Sequence, residues 1–131
     1  MDTEFFAYRK LIAYQKGREL VRFIYCLTKQ FPPEERFALS NQIQRAVVSV
    51  TSNIAEAMGR YSDKDKLHFI EFSYGSLLEV MSQMEVAFDL GYISINGFTE
   101  VEQRVTDICR MLSGLRKTYG GRLQAVIGGT E

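Results

Sequence analysis

Six polar residues between Gln42 and Arg60 recur at spacings of three and four: Gln42, Arg45, Ser49, Asn53, Glu56 and Arg60. On a helix that spacing sets them in one stripe. Two chemistries fit such a stripe. In one, Arg45 and Arg60 hold a phosphate while Gln42 and Asn53 read the edge of a ligand. In the other, Arg45, Glu56 and Arg60 join Glu79 of the following helix in a closed ion-pair and hydrogen-bond network that fixes register between helices or subunits. Both signs of charge lie in the stripe, which favours the network, because enclosed charges must be paired.

Other chemistries find little support. The single histidine, His68, stands in the order His68-x-x-Glu71, whereas a di-iron bundle needs Glu-x-x-His on two helices. No metal, cofactor or catalytic residue is therefore expected, and His68 reads as an exposed or capping residue near a helix start. No nucleophile–base pattern or nucleophile elbow occurs, so a small hydrolase or nuclease is disfavoured. Gly75-Ser76 lacks the strand and lysine of a phosphate loop and reads as a small patch that admits another helix. Arg18, Arg22 and Lys29 share one side of the first helix, and Arg110 and Lys117 one side of the fourth. They are either a solvated surface or an electrostatic track for a nucleic-acid backbone. No aromatics interleave with them, so base stacking is not indicated.

The elements that carry these residues are helices. Ala13, Gly17, Leu20, Ile24, Leu27 and Phe31 form an apolar seam of helical period, ended by Pro32-Pro33. The second helix begins behind the prolines, with Glu34 and Glu35 at its positive end. Its apolar stripe is Ile43, Val47, Val50 and Ile54, with Ala46 and Ala57 beside it. The rest of its circumference, Gln44, Val48, Thr51, Ser52, Ala55 and Gly59, is small or uncharged, whereas a surface helix of a lone bundle shows Lys and Glu. The helix is expected to be enclosed, by other copies of the chain.

Ser62 caps a third helix with Asp63 and Asp65 in its first turn. Its seam is Leu67, Ile70, Tyr74, Leu77, Met81, Met84 and Phe88, with Phe69, Val80 and Ala87 as a flank, and Gly91 closes it. A turn over Ser94–Phe98 precedes a Thr99/Glu102 capping box. The fourth helix then carries Val101, Val105, Ile108, Leu112, Leu115 and Tyr119. The expected spans are 8–31, 34–60, 63–91 and 99–119, with a flexible Gly-rich tail over 120–131. Helices of this length are ~30–40 Å long at ~1.5 Å per residue. Short connections make neighbours antiparallel, so the expected fold is all-α, one domain over 1–131, an antiparallel up-down-up-down four-helix bundle.

At 131 residues and 46% hydrophobic, the chain can bury a real core. Sixteen basic and sixteen acidic residues cancel, so no global field attracts nucleic acid or anionic lipid. The neutrality hides segregation. Residues 1–31 carry six basic against three acidic side chains, residues 103–131 five against two, and residues 67–102 six acidic with no Lys or Arg. Cys26 and Cys109 read as reduced, buried small hydrophobes. No apolar run approaches the ~20 residues of a membrane span, and MDTEFFAYRK has no secretion-signal pattern. No membrane partner is expected, and residence is expected to be cytoplasmic.

A family resemblance follows from several of these segments. Gln42-Ile43-Gln44-Arg45-Ala46, Ser49, Ser52-Asn53-Ile54-Ala55-Glu56 and Gly59-Arg60 resemble the hallmark of the 23S rRNA intervening-sequence (IVS) protein family. Phe31-Pro32-x-Glu34/Glu35, Gly75-Ser76-Leu77-x-Glu79 and Leu90-Gly91-Tyr92-Ile93 match in the same order. The similarity runs from about Leu11 to Tyr119. Tyr14 stands where Trp is common, Thr51 where Pro is often seen, and Ala57 for a usual Gly. The resemblance implies a cytosolic antiparallel four-helix bundle, and the missing nucleophile and metal-ligand patterns make a non-enzymatic protein the expectation. Related bundles, among them the nucleic-acid-binding accessory protein of diversity-generating retroelements, form rings of five. It thus implies a closed homo-oligomer, a pentamer, with RNA or an RNA-processing protein as candidate partner. Those nucleic-acid binders are strongly basic; this chain is neutral. The rival expectation is a protein–protein adaptor without nucleic-acid affinity.

Overall fold

The computed structural model describes residues 5–129, and side chains up to residue 121. Four α-helices account for most of them: α1 (Ile12–Thr28), α2 (Leu39–Gly59), α3 (Asp63–Asp89) and α4 (Ile95–Gly129). No strand occurs among the described residues.

Each helix departs from its expected limits for a local reason. The first was expected over 8–31. Instead, a 3-10 turn over Ala7–Lys10 precedes α1, and Leu11 between them is extended (φ −72°, ψ 125°). The Gln15 amide clamps the junction by donating to the Arg9 carbonyl at 2.9 Å. At its far end, the residue before a proline is pushed out of the helical region, so α1 stops at Thr28 and Pro32 is extended (ψ 143°). The second helix, expected from 34, opens with one 3-10 turn over Pro33–Glu35. It then breaks at Ala38 (φ −122°, ψ −106°) before α2 proper.

For α3, Ser62 caps as expected, its hydroxyl accepting from the Asp65 N–H at 3.1 Å. Gly91 takes φ 78°, and Tyr92 N–H closes on Ala87 O at 2.9 Å, a Schellman ending that only a glycine makes without strain. The fourth helix differs most. Ser94 rather than Thr99 is its cap: the Gly97 N–H donates to Ser94 Oγ at 3.1 Å. Asn96-Gly97-Phe98, expected as turn, is the first helical turn. The helix also continues through Gly120-Gly121 to residue 129, where a flexible tail was expected over 120–131. A helical glycine costs only about 1 kcal/mol, and Arg122–Ala125 behind the pair are strong helix formers.

Side-chain contacts fix the topology. Gln44 of α2 donates to Thr28 of α1 at 3.0 Å, while Thr51 lies against Gly17, so α1 and α2 run in opposite directions. Ser73 donates to the Val50 carbonyl at 2.8 Å and Lys66 to that of Met58 at 3.5 Å, giving the same result for α2 and α3. Phe88 meets Phe98 while Arg116 pairs with Glu71, so α4 runs back along α3. Arg104 lies over the Phe23 ring and Gly97 against Leu27, which closes α4 onto α1. The helices form an antiparallel up-down-up-down bundle, with α1 and α3 on opposite corners.

The core follows the expected seams, with α3 rotated. Leu20 and Ile24, Ile43, Val47, Val50 and Ile54, and Ile108 and Leu112 are fully enclosed. On α3, Ile70, Ser73, Leu77, Val80, Met84 and Ala87 are buried, whereas Phe88 is exposed and Tyr74 and Met81 only half-buried. The expected flank is thus part of the main seam. The reason is the close α2–α3 contact: Ser73 replaces a bulky side chain and spends its hydroxyl on the Val50 carbonyl, so no polar group is left unsatisfied.

Candidate functional site

The outer surface shared by α2 and α3 is the most unusual part of the molecule. Along α3, Phe72 and Val86 are 51% and 46% exposed, and Val48 adds a further apolar group from α2, while Leu78 lies round the helix in the α3–α4 groove. Gly75 and Gly59 lie on the same surface with nothing within 4 Å of where a Cβ would stand. Large apolar side chains next to bare glycine backbone are what a packing partner needs, not what water rewards.

A polar cleft of about 380 Å³ opens between the two helices beside this surface. Asn41, Gln42, Arg45 and Ser49 of α2 face Glu79 and Gln83 of α3 across it. Gln83 Oε1 is buried without a hydrogen-bond donor. An unmet buried acceptor costs about 1–3 kcal/mol, so this carbonyl is the least satisfied group of the described side chains.

The sequence stripe is only partly joined here. Glu56 and Arg60 make a 2.9 Å ion pair one turn apart, with both side chains about half exposed, and the Arg60 guanidinium lies 4.5 Å from the Phe69 ring centre. Asn53 Nδ2 donates to the Ser49 carbonyl at 2.8 Å, and Ser49 Oγ meets Ser76 Oγ at 2.5 Å. Gln42, Arg45 and Glu79 share the cleft, yet among the described residues Arg45 meets neither Glu56 nor Glu79 within ion-pair distance. The protomer therefore does not close the expected network. Gln42, Arg45, Glu56, Arg60 and Glu79 are all exposed, so one copy of the chain does not enclose α2 either. A neighbour above and below α2 in the same bundle covers only its inner side.

The basic residues stay apart. Arg18, Arg22 and Lys29 are exposed on α1, and Arg22 enters an α1–α4 groove that also holds Glu19, Glu100 and Asp107. Arg110 and Lys117 line an α3–α4 groove together with Glu85 and Glu102. Arg22 and the Arg110/Lys117 pair thus face carboxylates, and among the described residues no continuous cationic track joins α1 to α4.

The histidine and the two cysteines stand apart from one another. His68 is exposed and packs edge-on against Phe72, with ring centres 4.4 Å apart. Cys26, expected buried, is exposed on the α1–α4 groove, because it lies midway between Ile24 and Thr28 of the buried stripe and so on the opposite side of α1. Cys109 is half-buried; burial pushes its thiol up, against the opposing hydrogen bond of Tyr74 and the charge of Arg116. No grouping of His, Cys, Asp and Glu among the described residues is suited to hold a metal ion. None of the helices described is long and apolar enough to cross a membrane.

Gln83, Phe72, Leu78 and Val86 were not singled out from the sequence. Their signal was present: α3 carries apolar residues outside its seam, and a rotated seam exposes them.

Comparisons with known proteins agree with this fold. The family described as 23S rRNA-intervening sequence protein matches residues 9–114, from ahead of α1 into α4. A protein of unknown function from the S23 ribosomal protein family of Bacteroides thetaiotaomicron is a structural neighbour. It has a TM-score of 0.75 at 23% identity, covering 81% of this chain and 99% of that chain. At that identity the likeness is one of fold. No curated protein matches the chain.

Proposed function

From the chain's membership of the 23S rRNA-intervening sequence protein family, we propose that it is a non-enzymatic cytosolic scaffold that works as a closed homo-oligomer, five copies being the number that the resemblance to ring-forming bundles implies. One observation carries this reading. The outer α2–α3 surface combines exposed Phe72 and Val86 with open Gly75 and an unmet buried acceptor at Gln83. A second copy removes the apolar area from water at about 25 cal/mol per Å² and covers the face of α2 that lacks the charges of a solvated helix. Sedimentation velocity on the native chain tests it: a single species heavier than the 15.0 kDa protomer supports it, and a protomer-mass species at micromolar concentration overturns it.

The partner carried by the scaffold is proposed to be RNA or an RNA-processing protein, with Arg18, Arg22, Lys29, Arg110 and Lys117 repeated around the oligomer as the contacts. An adaptor for proteins alone is the rival, and the carboxylates in both basic grooves favour it. A gel shift with structured RNA separates the two. Binding that weakens steeply with salt supports phosphate contacts; no shift at micromolar protein removes RNA from the proposal.

A further inference from the structure

We propose that the polar cleft between α2 and α3 binds a free α-amino acid, Arg45 taking its carboxylate while Glu79 and Gln83 take its ammonium group. The site goes beyond the scaffold function above and stands without it. It uses the part of the α2 stripe that the protomer leaves open.

The levels of the two antiparallel helices are fixed by Ser49 Oγ, 2.5 Å from Ser76 Oγ, and by Ser73, which donates to the Val50 carbonyl at 2.8 Å. One turn along, about 5 Å away, Arg45 and Glu79 stand level; one turn further, Gln42 and Gln83 do. All four line the one cleft of about 380 Å³, which the Ser49–Ser76 contact bounds at one end.

Two features leave this cleft incomplete. Arg45 and Glu79 carry opposite charges on one level, yet among the described residues no ion pair joins them. Gln83 Oε1 is buried and meets no donor. The terminal torsion of a glutamine is soft, so a donor in the cleft can draw that oxygen to it. An ammonium group held beside Glu79 has three N–H donors and supplies what the oxygen lacks.

The charges choose the ligand. A guanidinium fork takes a carboxylate or a phosphate, but Glu79 repels a plain anion and Arg45 repels a plain amine. A molecule with both groups on adjoining atoms satisfies both sides. A nucleobase finds no ring to stack on, since no aromatic side chain lines the cleft. Ala46 is the one apolar lining residue, beside the amides of Asn41 and Gln42, so the amino acid taken has a small or polar side chain. Exposed ion pairs add little alone; the buried acceptor and the two charges joined in one molecule give the selectivity.

Thermal melts of the wild-type chain with each proteinogenic amino acid in turn, at about 10 mM, read binding as a rise in Tm. At least one small or polar amino acid is expected to raise Tm and to move the Gln83 side-chain amide in the proton–nitrogen correlation spectrum. Its N-acetyl derivative, which lacks the cation, is expected to do neither. Arg45→Gln and Glu79→Gln change exposed side chains and are each expected to weaken Kd about ten-fold or more. Gln83→Met is expected to lose the response and, having shed a buried acceptor without a donor, to melt higher than wild type in the absence of ligand. No response to any amino acid overturns the site and leaves the homo-oligomer standing. A response to inorganic phosphate or guanosine alone also overturns it. So does a Gln83→Met chain that melts lower than wild type or falls to the 15.0 kDa protomer mass, the acceptor then being met within the chain or by another copy. A wild-type chain of protomer mass that binds an amino acid removes the homo-oligomer and supports the site.

Discussion

The Tyr92 hydroxyl donates a 2.8 Å hydrogen bond to the Glu35 carboxylate, across 57 residues of sequence. Tyr92 follows the Schellman ending of α3, and Glu35 ends the 3-10 turn before α2. The bond thus ties the two connections at one end of the bundle, with the Phe31 ring 5.3 Å from that of Tyr92. Hydrogen bonding to Glu35 raises the Tyr92 pKa above its usual 10.0, helped by burial and by the charges of Glu35 and Glu34.

That shift has a sign. A phenol with a higher pKa in the folded chain contributes stability that is complete below its unfolded value and is lost as pH rises through the folded one. Thermal melts between about pH 8 and about pH 11 should show a wider gap between wild type and Tyr92→Phe at the lower end. The gap should shrink as the pH rises beyond the usual tyrosine range. A gap independent of pH would show that the bond does not hold the proton.

Two glycines should respond oppositely to the same change. A Cβ at Gly17 would stand 2.9 Å from Thr51 Cγ2, and Thr51 is a stiff side chain whose hydroxyl is held by the Val48 carbonyl at 2.8 Å. Gly17→Ala should therefore lose stability, by about 1–3 kcal/mol of overpacking less about 1 kcal/mol of helix propensity. Gly114→Ala meets open space and should gain up to about 1 kcal/mol. Urea unfolding of both variants provides the comparison.

Glu56→Ala separates an exposed pair from an enclosed one. With both partners about half exposed, the change should cost less than about 1 kcal/mol in the protomer. A loss of about 3–5 kcal/mol in chemical denaturation would mean that the pair is covered in the native particle.

Leu77→Ala removes a fully enclosed side chain at the α2–α3–α4 junction. It should cost about 2–5 kcal/mol, read from the shift in urea midpoint. A cost below about 1 kcal/mol would place Leu77 outside the packed core.

The fold was legible because it depends on long apolar repeats that many residues vote for. One serine or glycine does not move the seams of α1, α2 and α4. Helix ends were less legible, since each turns on a single backbone choice: extended Leu11, non-helical Ala38, and Ser94 competing with Thr99 for one cap. The polar stripe on α2 was legible as a stripe, but not its partners. Spacing sets Arg45 and Glu56 on one face without saying whether they touch. The outer face of α3 was missed because Tyr74, Met81 and Phe88 read as core as readily as Ser73, Val80 and Ala87. Only the close approach of Ser73 to Val50 decides the rotation.

The central claim, that the outer α2–α3 surface is covered by another copy of the chain, is met most directly by light scattering on a sizing column, run on wild type and Gly75→Arg at the same micromolar concentration. The account predicts a wild-type mass five times the 15.0 kDa of the protomer, and protomer mass for Gly75→Arg. A wild-type particle of 15.0 kDa would contradict it.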